Sequence, residues 1–167
     1  MSIRDNNYVL FFARLKLGLL YGDPFKAGAV VPLNVALPCA TQNELNGSET
    51  TVLVKNGCMA VSEGANMPTN LEGVHVFKAA KILYAPSKAA NAGGVAVLDL
   101  EMSQNSARIP WKEVELEKML SDIMNGIHHR CAEYGGVAGS KHIDYVKGAN
   151  IAGFKRVADA MLAYRVV

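Results

Sequence analysis

The sequence predicts an α/β protein in which a parallel sheet is followed by helices. From Ala29 onward, short apolar runs of strand length alternate with segments of helical period, the pattern of successive βαβ units. Each strand-like run is followed by a loop rich in Pro, Asn, Gly or Ser, the residues that turn a chain. Half of the 167 residues are hydrophobic and 19% are charged, enough apolar material to bury the roughly 70% of surface expected at this size. That balance excludes a disordered chain, and the length fits one domain at about 150 residues each.

The elements follow in order. Val30 to Leu37 (VVPLNVAL) reads as a β-branched core strand, and PCATQN follows it as a loop. A short helix from Ser48 to Asn56 has Ser48 as its expected cap, and Gly57 ends it. Met59 to Ser62 is a second strand and Glu63 to Pro68 a second loop. A helix over Thr69 to Ala80, with Thr69 as cap, leads to a third strand, Ile82 to Ala85, and a third loop, Pro86 to Gly94. Ligands of open parallel sheets bind at such loops, beyond the carboxyl ends of the strands. Beyond Gly94 the strand signals fade. Lys112 to Tyr134 sets Leu116, Met119, Leu120, Ile123, Met124, Ile127 and Cys131 at helical spacing, so one face should be buried. Asn150 to Ala163 repeats the pattern with Ile151, Phe154, Val157, Ala158, Met161 and Leu162.

Several functions are disfavoured at once. The net charge is only +2, and apart from Lys155-Arg156 the basic residues are scattered, so no stripe exists to bind a phosphate backbone; no nucleic-acid partner is expected. Tyr8 to Tyr21 (YVLFFARLKLGLLY) is broken by Arg14 and Lys16 and falls short of the ~20 apolar residues of a membrane span; it reads as a buried helix or strand. Pro32 and Pro38 break the other uncharged run, Ala27 to Asn43, and no membrane partner is expected. Three widely spaced cysteines, Cys39, Cys58 and Cys131, fit neither a disulfide framework nor a zinc knuckle, and suit a reducing cytoplasm. No metal site is expected: His128-His129 close an amphipathic helix without a ligand pattern and read as a partly buried structural pair. Ser87-Lys88 lacks the base and oxyanion loop of an activated nucleophile, so Lys88 reads better as a loop lysine near a ligand phosphate. Cys39 without a nearby histidine reads as a packing residue.

No Gly-x-Gly occurs among the 15 glycines, so a dinucleotide phosphate cradle is missing. The loops instead offer Thr41, Gln42, Asn43, Asn66 and Asn91, neutral side chains able to hydrogen-bond a ribose or a carboxamide, although Asn is also a common turn residue.

Five blocks occur in a telling order: PCATQNEL (38–45), EGANMPT (63–69), APSKAANAGGV (85–95), LEMSQNSAR (100–108) and GANIAGF (148–154). Together they closely resemble the C-terminal part of the hexameric glutamate dehydrogenases, above all the NADP-specific members. The similarity runs from about Leu33 to Leu162 and fades upstream, where GLLYGDPF (18–25) matches only distantly. The resemblance implies the second half of a Rossmann-like parallel sheet followed by C-terminal helices. It divides the chain into a poorly matched segment 1–27, a partial coenzyme-binding domain 28–95 and a helical segment 96–167 that packs toward an N-terminal domain. The activity it implies is NADP-dependent oxidative deamination of L-glutamate to 2-oxoglutarate and ammonia, with NAD as a possible coenzyme, in a cytoplasmic homo-hexamer.

Position by position, the resemblance places Ala40 and Thr41 along the coenzyme, Asn66 at the nicotinamide ribose and Asn91 at the carboxamide. Val95 would line the substrate side-chain pocket. Leu98 stands where the family carries a serine for the substrate's distal carboxylate, and Asp99 where it carries glycine. Leucine donates no hydrogen bond, and a carboxylate beside an anionic substrate costs about 1 to 4 kcal/mol at contact distance. Asn34 replaces an aspartate expected at the strand end near the cleft. These departures point to altered specificity or to degeneration. The lysine and carboxylate that move protons in the family belong to its N-terminal part, so no catalytic residue is expected here, and the isolated chain should be inactive. The competing reading is a non-catalytic remnant or interaction module of the same fold.

Overall fold

A computed structural model describes residues 33–166. The expected buried segment Tyr8 to Tyr21 and the start of the first strand lie outside the described residues. The described residues form two compact units: one contains Gly93–Gly126, the other the remaining described residues.

The larger unit is built on three parallel strands in the order β1-β2-β3: β1 Val35–Ala36, β2 Ala60–Ser62 and β3 Leu83–Ala85. Val35 pairs with Ala60, and Ala60 with Leu83. The expected parallel α/β fold is present, with strands shorter than their apolar runs.

Helix α1, Gly47–Lys55, joins β1 to β2. Its cap is Asn46 rather than Ser48. The Asn46 Oδ1 accepts from the amides of Ser48 (3.0 Å) and Glu49 (3.1 Å), while Glu49 accepts from the Asn46 amide at 2.7 Å. This reciprocal box satisfies the orphan donors one residue pair earlier than expected. Helix α2, Leu71–Ala80, joins β2 to β3 and is capped by Asn70, whose side chain accepts from the Gly73 amide at 2.9 Å. Thr69, the expected cap, is buried instead and pairs with Leu45 in an isolated bridge.

Gly73 lets α1 and α2 approach, since a Cβ there would lie 2.6 Å from the Thr69 methyl and 2.8 Å from the Thr50 methyl. Leu45, Leu53, Val61, Phe77 and Tyr84 form the core, with the Phe77 and Tyr84 rings 5.3 Å apart.

Four further helices follow β3. Helix α3, Ser87–Ala90, and helix α4, Ala92–Ala107, occupy the span read as a loop and the stretch after it. Gly93 and Gly94 lie inside α4 rather than in a turn. Within the smaller unit, Gly93 faces Leu120 and Met124 of α5, Glu113–Gly135, at van der Waals distance. The Trp111 amide closes the α4–α5 connection by donating to Gln104 Oε1 at 2.7 Å.

The apolar face of α5 is half-buried; among its expected core residues only Cys131 is fully enclosed. Helix α6, Tyr145–Ala163, begins five residues before the expected start because Asp144 caps it through the Lys147 amide. Gly148 sits on the Cys131 carbonyl, where any Cβ would collide with backbone. The rest of α6 departs from expectation. Phe154 is 74% exposed, Val157 59% and Leu162 63%, because no described residue covers that face.

Candidate functional site

The loops after β1, β2 and β3 lie together at the carboxyl ends of the strands. Backbone bonds join the first two: the amides of Gly64 and Ala65 donate to the Pro38 carbonyl at 2.9 and 3.2 Å, and the Asn43 amide donates to the Met67 carbonyl at 2.9 Å. Gly64 is needed for this closeness, since a Cβ there would lie 2.5 Å from Cys39 Sγ. Cys39 is therefore exposed in a loop rather than packed in the core. Ala40 and Thr41 are exposed between these junctions, and the Ala40 amide donates to Glu44 Oε1 at 3.1 Å. Asn43 and Met67 hold positive φ values of 55° and 48°, the left-handed region that non-glycine residues enter only when held there.

The second and third loops meet through the two asparagines. Asn91 Nδ2 donates to Asn66 Oδ1 at 2.7 Å and to the Ala65 carbonyl at 3.3 Å. These bonds use Asn91 Nδ2 and Asn66 Oδ1, which leaves Asn66 Nδ2 as a donor group and Asn91 Oδ1 as an acceptor, the chemistry that complements a primary carboxamide or a hydroxyl. The donor set is neutral, able to hydrogen-bond hydroxyl or amide groups without adding charge. Asn66, Asn91, Ala40 and Thr41 all belong to the larger unit.

Beneath the pair lies a residue that sequence reasoning did not single out. Glu63 is only 2% exposed. Its Oε1 accepts from the Tyr84 hydroxyl at 2.6 Å and its Oε2 from the Ser87 amide at 2.7 Å. Burial, and then the neighbouring Glu63 carboxylate, push the Tyr84 hydroxyl far above its ordinary range, so Tyr84 remains a donor. The available signal was a charged residue directly after an apolar strand, at the start of EGAN.

Other expectations are relocated. Lys88 Nζ donates to Asn150 Oδ1 at 2.5 Å, joining APSKAAN to GANIAGF. Asn34 lies at the amino end of β1, opposite the loops, where its carbonyl accepts from the Met59 amide at 2.9 Å; it is not near the cleft. Val95 and Leu98, 61% and 57% exposed, sit one turn apart on α4 in the smaller unit, and Asp99 is exposed beside Leu98. His128 stacks on Tyr145 with centroids 5.7 Å apart, and burial followed by the His129 charge lowers its pKa, in keeping with a structural pair. Among the described residues no group of three or more His, Cys, Asp or Glu could hold a metal, and no helix is long and apolar enough to cross a membrane.

The family model for Glutamate/Leucine/Phenylalanine/Valine dehydrogenase matches residues 16–165. The chain belongs to this dehydrogenase family. The NADP-specific glutamate dehydrogenase of Salmonella typhimurium is 58% identical over 137 residues, covering 82% of this chain and 30% of that enzyme. The NAD(P)-specific glutamate dehydrogenase of Xylanibacter ruminicola is 55% identical over 130 residues, covering 78% of this chain and 29% of that enzyme. Among solved structures, Plasmodium falciparum glutamate dehydrogenase superposes with a TM-score of 0.75 at 44% identity, over 81% of this chain and 29% of that one. The chain thus spans about 30% of the length of the curated dehydrogenases it matches.

Proposed function

We propose that this chain supplies the nicotinamide-nucleoside side of a glutamate dehydrogenase coenzyme site. The reaction would be reversible NADP-dependent deamination of L-glutamate to 2-oxoglutarate and ammonia. The observation that carries this reading is the Asn66–Asn91 pair, two neutral amides drawn together at 2.7 Å from segments that follow β2 and β3. The bound nicotinamide would accept the hydride. Asn91 would hold its carboxamide and Asn66 the ribose, with Ala40 and Thr41 along the nucleoside.

In this reading residues 28–95 are part of the coenzyme domain and residues 96–167 a helical segment, within a cytoplasmic hexamer. The coenzyme would be NADP, with NAD as an alternative; the names of the Salmonella and Xylanibacter relatives, NADP-specific and NAD(P)-specific, support that order. Val95 and the Leu98 position would face the substrate side chain. Glutamate oxidation would require the lysine and carboxylate that the family carries outside the matched region, so the chain alone would not turn over.

A second reading is favoured by Leu98 and Asp99: a non-catalytic remnant or interaction module of the same fold. A segment exchange separates the two. The 137 matched residues of the Salmonella enzyme are replaced by those of this chain, with and without Leu98→Ser and Asp99→Gly. Restored glutamate oxidation in the doubly reverted chimera supports the coenzyme-site reading. A folded, reverted chimera that neither binds NADPH nor oxidises glutamate supports the remnant.

A further inference from the structure

The geometry points to Glu63 as the residue that positions the Asn66–Asn91 pair, acting through Ser87; the inference rests on the coenzyme reading above. Ser87 touches both sides of the pair. Its hydroxyl accepts from the amide of Met67, the neighbour of Asn66, at 3.3 Å, and its carbonyl accepts from the Asn91 amide at 2.9 Å. Ser87 is itself fixed from below, because its amide donates to Glu63 Oε2 at 2.7 Å. The other carboxylate oxygen is anchored by Tyr84 on β3, and the Glu63 amide donates to the Ala85 carbonyl at 3.1 Å.

A carboxylate this buried is tolerated only when its oxygens are hydrogen-bonded, and both are. The network therefore transmits the rigidity of the sheet to two loop side chains. It also explains how Met67 is kept at a φ of 48°, since the bond from its amide to Ser87 opposes relaxation of that strained turn. Glu63 would touch no ligand; its role is to fix the spacing and direction of the two amides that do.

The test compares Glu63→Leu, Glu63→Gln and Tyr84→Phe in the full chain, reading the side-chain ¹⁵N order parameters of Asn66 and Asn91 by NMR alongside NADPH fluorescence titration. Glu63→Leu removes both acceptors. It should drop the Asn91 carboxamide from a rigid value to a flexible one, below about 0.6. Glu63→Gln should restore rigidity, because its Oε1 can accept from Ser87 while its amide donates to the Tyr84 oxygen. Tyr84→Phe keeps the Ser87 bond and should spare the pair even where it lowers the melting temperature.

A rigid Asn91 in Glu63→Leu, or equal loosening in Tyr84→Phe, overturns the inference. Should Glu63→Leu not fold, Glu63→Asp decides by the same readout, because its shorter side chain cannot reach both Tyr84 and Ser87: a loosened Asn91 supports the inference and an unchanged one overturns it. The coenzyme reading fails separately, by absence of NADPH binding to the folded, reverted chimera while Asn91 still loosens in Glu63→Leu.

Discussion

Gly64→Ala would test the closeness of the first two loops directly. Its φ lies outside the left-handed region, so on backbone grounds alanine there would stabilise the chain by about 0.4 to 1 kcal/mol through the unfolded state. Contact reverses the sign. The new methyl would stand 2.5 Å from Cys39 Sγ and 3.3 Å from its Cβ. Either the thiol leaves its rotamer, at about 0.5 to 1.5 kcal/mol, or the loops separate, at about 1 to 3 kcal/mol. The net expectation is destabilisation of about 1 kcal/mol, obtained by setting the entropic gain against those costs.

Cys39→Ala removes the sulfur. Cys39 is exposed, so that change alone should stay within about 0.5 kcal/mol, and in its background Gly64→Ala should become neutral or stabilising. Urea denaturation of the four proteins closes a double-mutant cycle with an expected coupling of about 1 to 2 kcal/mol. Equal cost of Gly64→Ala in both backgrounds, or stabilisation by Gly64→Ala in the wild type, would show that the two loops are not in contact.

Two further predictions concern the larger unit. Burial raises the Asp144 pKa, but the bonds from the Lys147 amide and the Lys78 ammonium (3.0 Å) outweigh it, so the folded value lies below the ordinary 3.8. The associated stability is complete above the unfolded value and disappears as pH falls through the folded one. Asp144→Asn keeps a capping side chain and removes the charge: its melting temperature should trail the wild type at neutral pH, and the gap should close below the ordinary carboxylate range. A gap independent of pH would refute the assignment. The uncovered face of α6, with Phe154, Val157 and Leu162 exposed, should make the purified chain bind a hydrophobic dye and self-associate, as read by fluorescence and sedimentation. Monomeric behaviour without dye binding counts against that exposure, and Phe154→Glu should reduce both signals.

The sequence determined the class of fold, because alternation of strand-length and helix-period runs is a local pattern that survives without coordinates. It also located the loops, since Pro, Asn and Gly mark them by their own backbone preferences. Motif order placed Asn66 and Asn91 among the candidates, 25 residues apart in the chain. Their direct contact was decided by strand register, which no local pattern encodes. Capping shows the same division: Ser48 and Thr69 were reasonable caps by residue type, but Asn46 and Asn70 had the geometry, and Thr69 was needed in the core.

Pattern reading offers only a weak signal for Glu63, because a glutamate after a strand is ordinarily solvated. Only packing reveals that it is enclosed and that its two oxygens meet Tyr84 and Ser87. The apolar face of α6 was legible as amphipathic, but amphipathicity states that a face seeks cover, not which residues provide it. Periodicity and turn chemistry are properties of neighbours in sequence, and so the residues alone determined them. The asparagine pair, the buried carboxylate and the uncovered helix depend on which distant segments meet, and that was settled only in three dimensions.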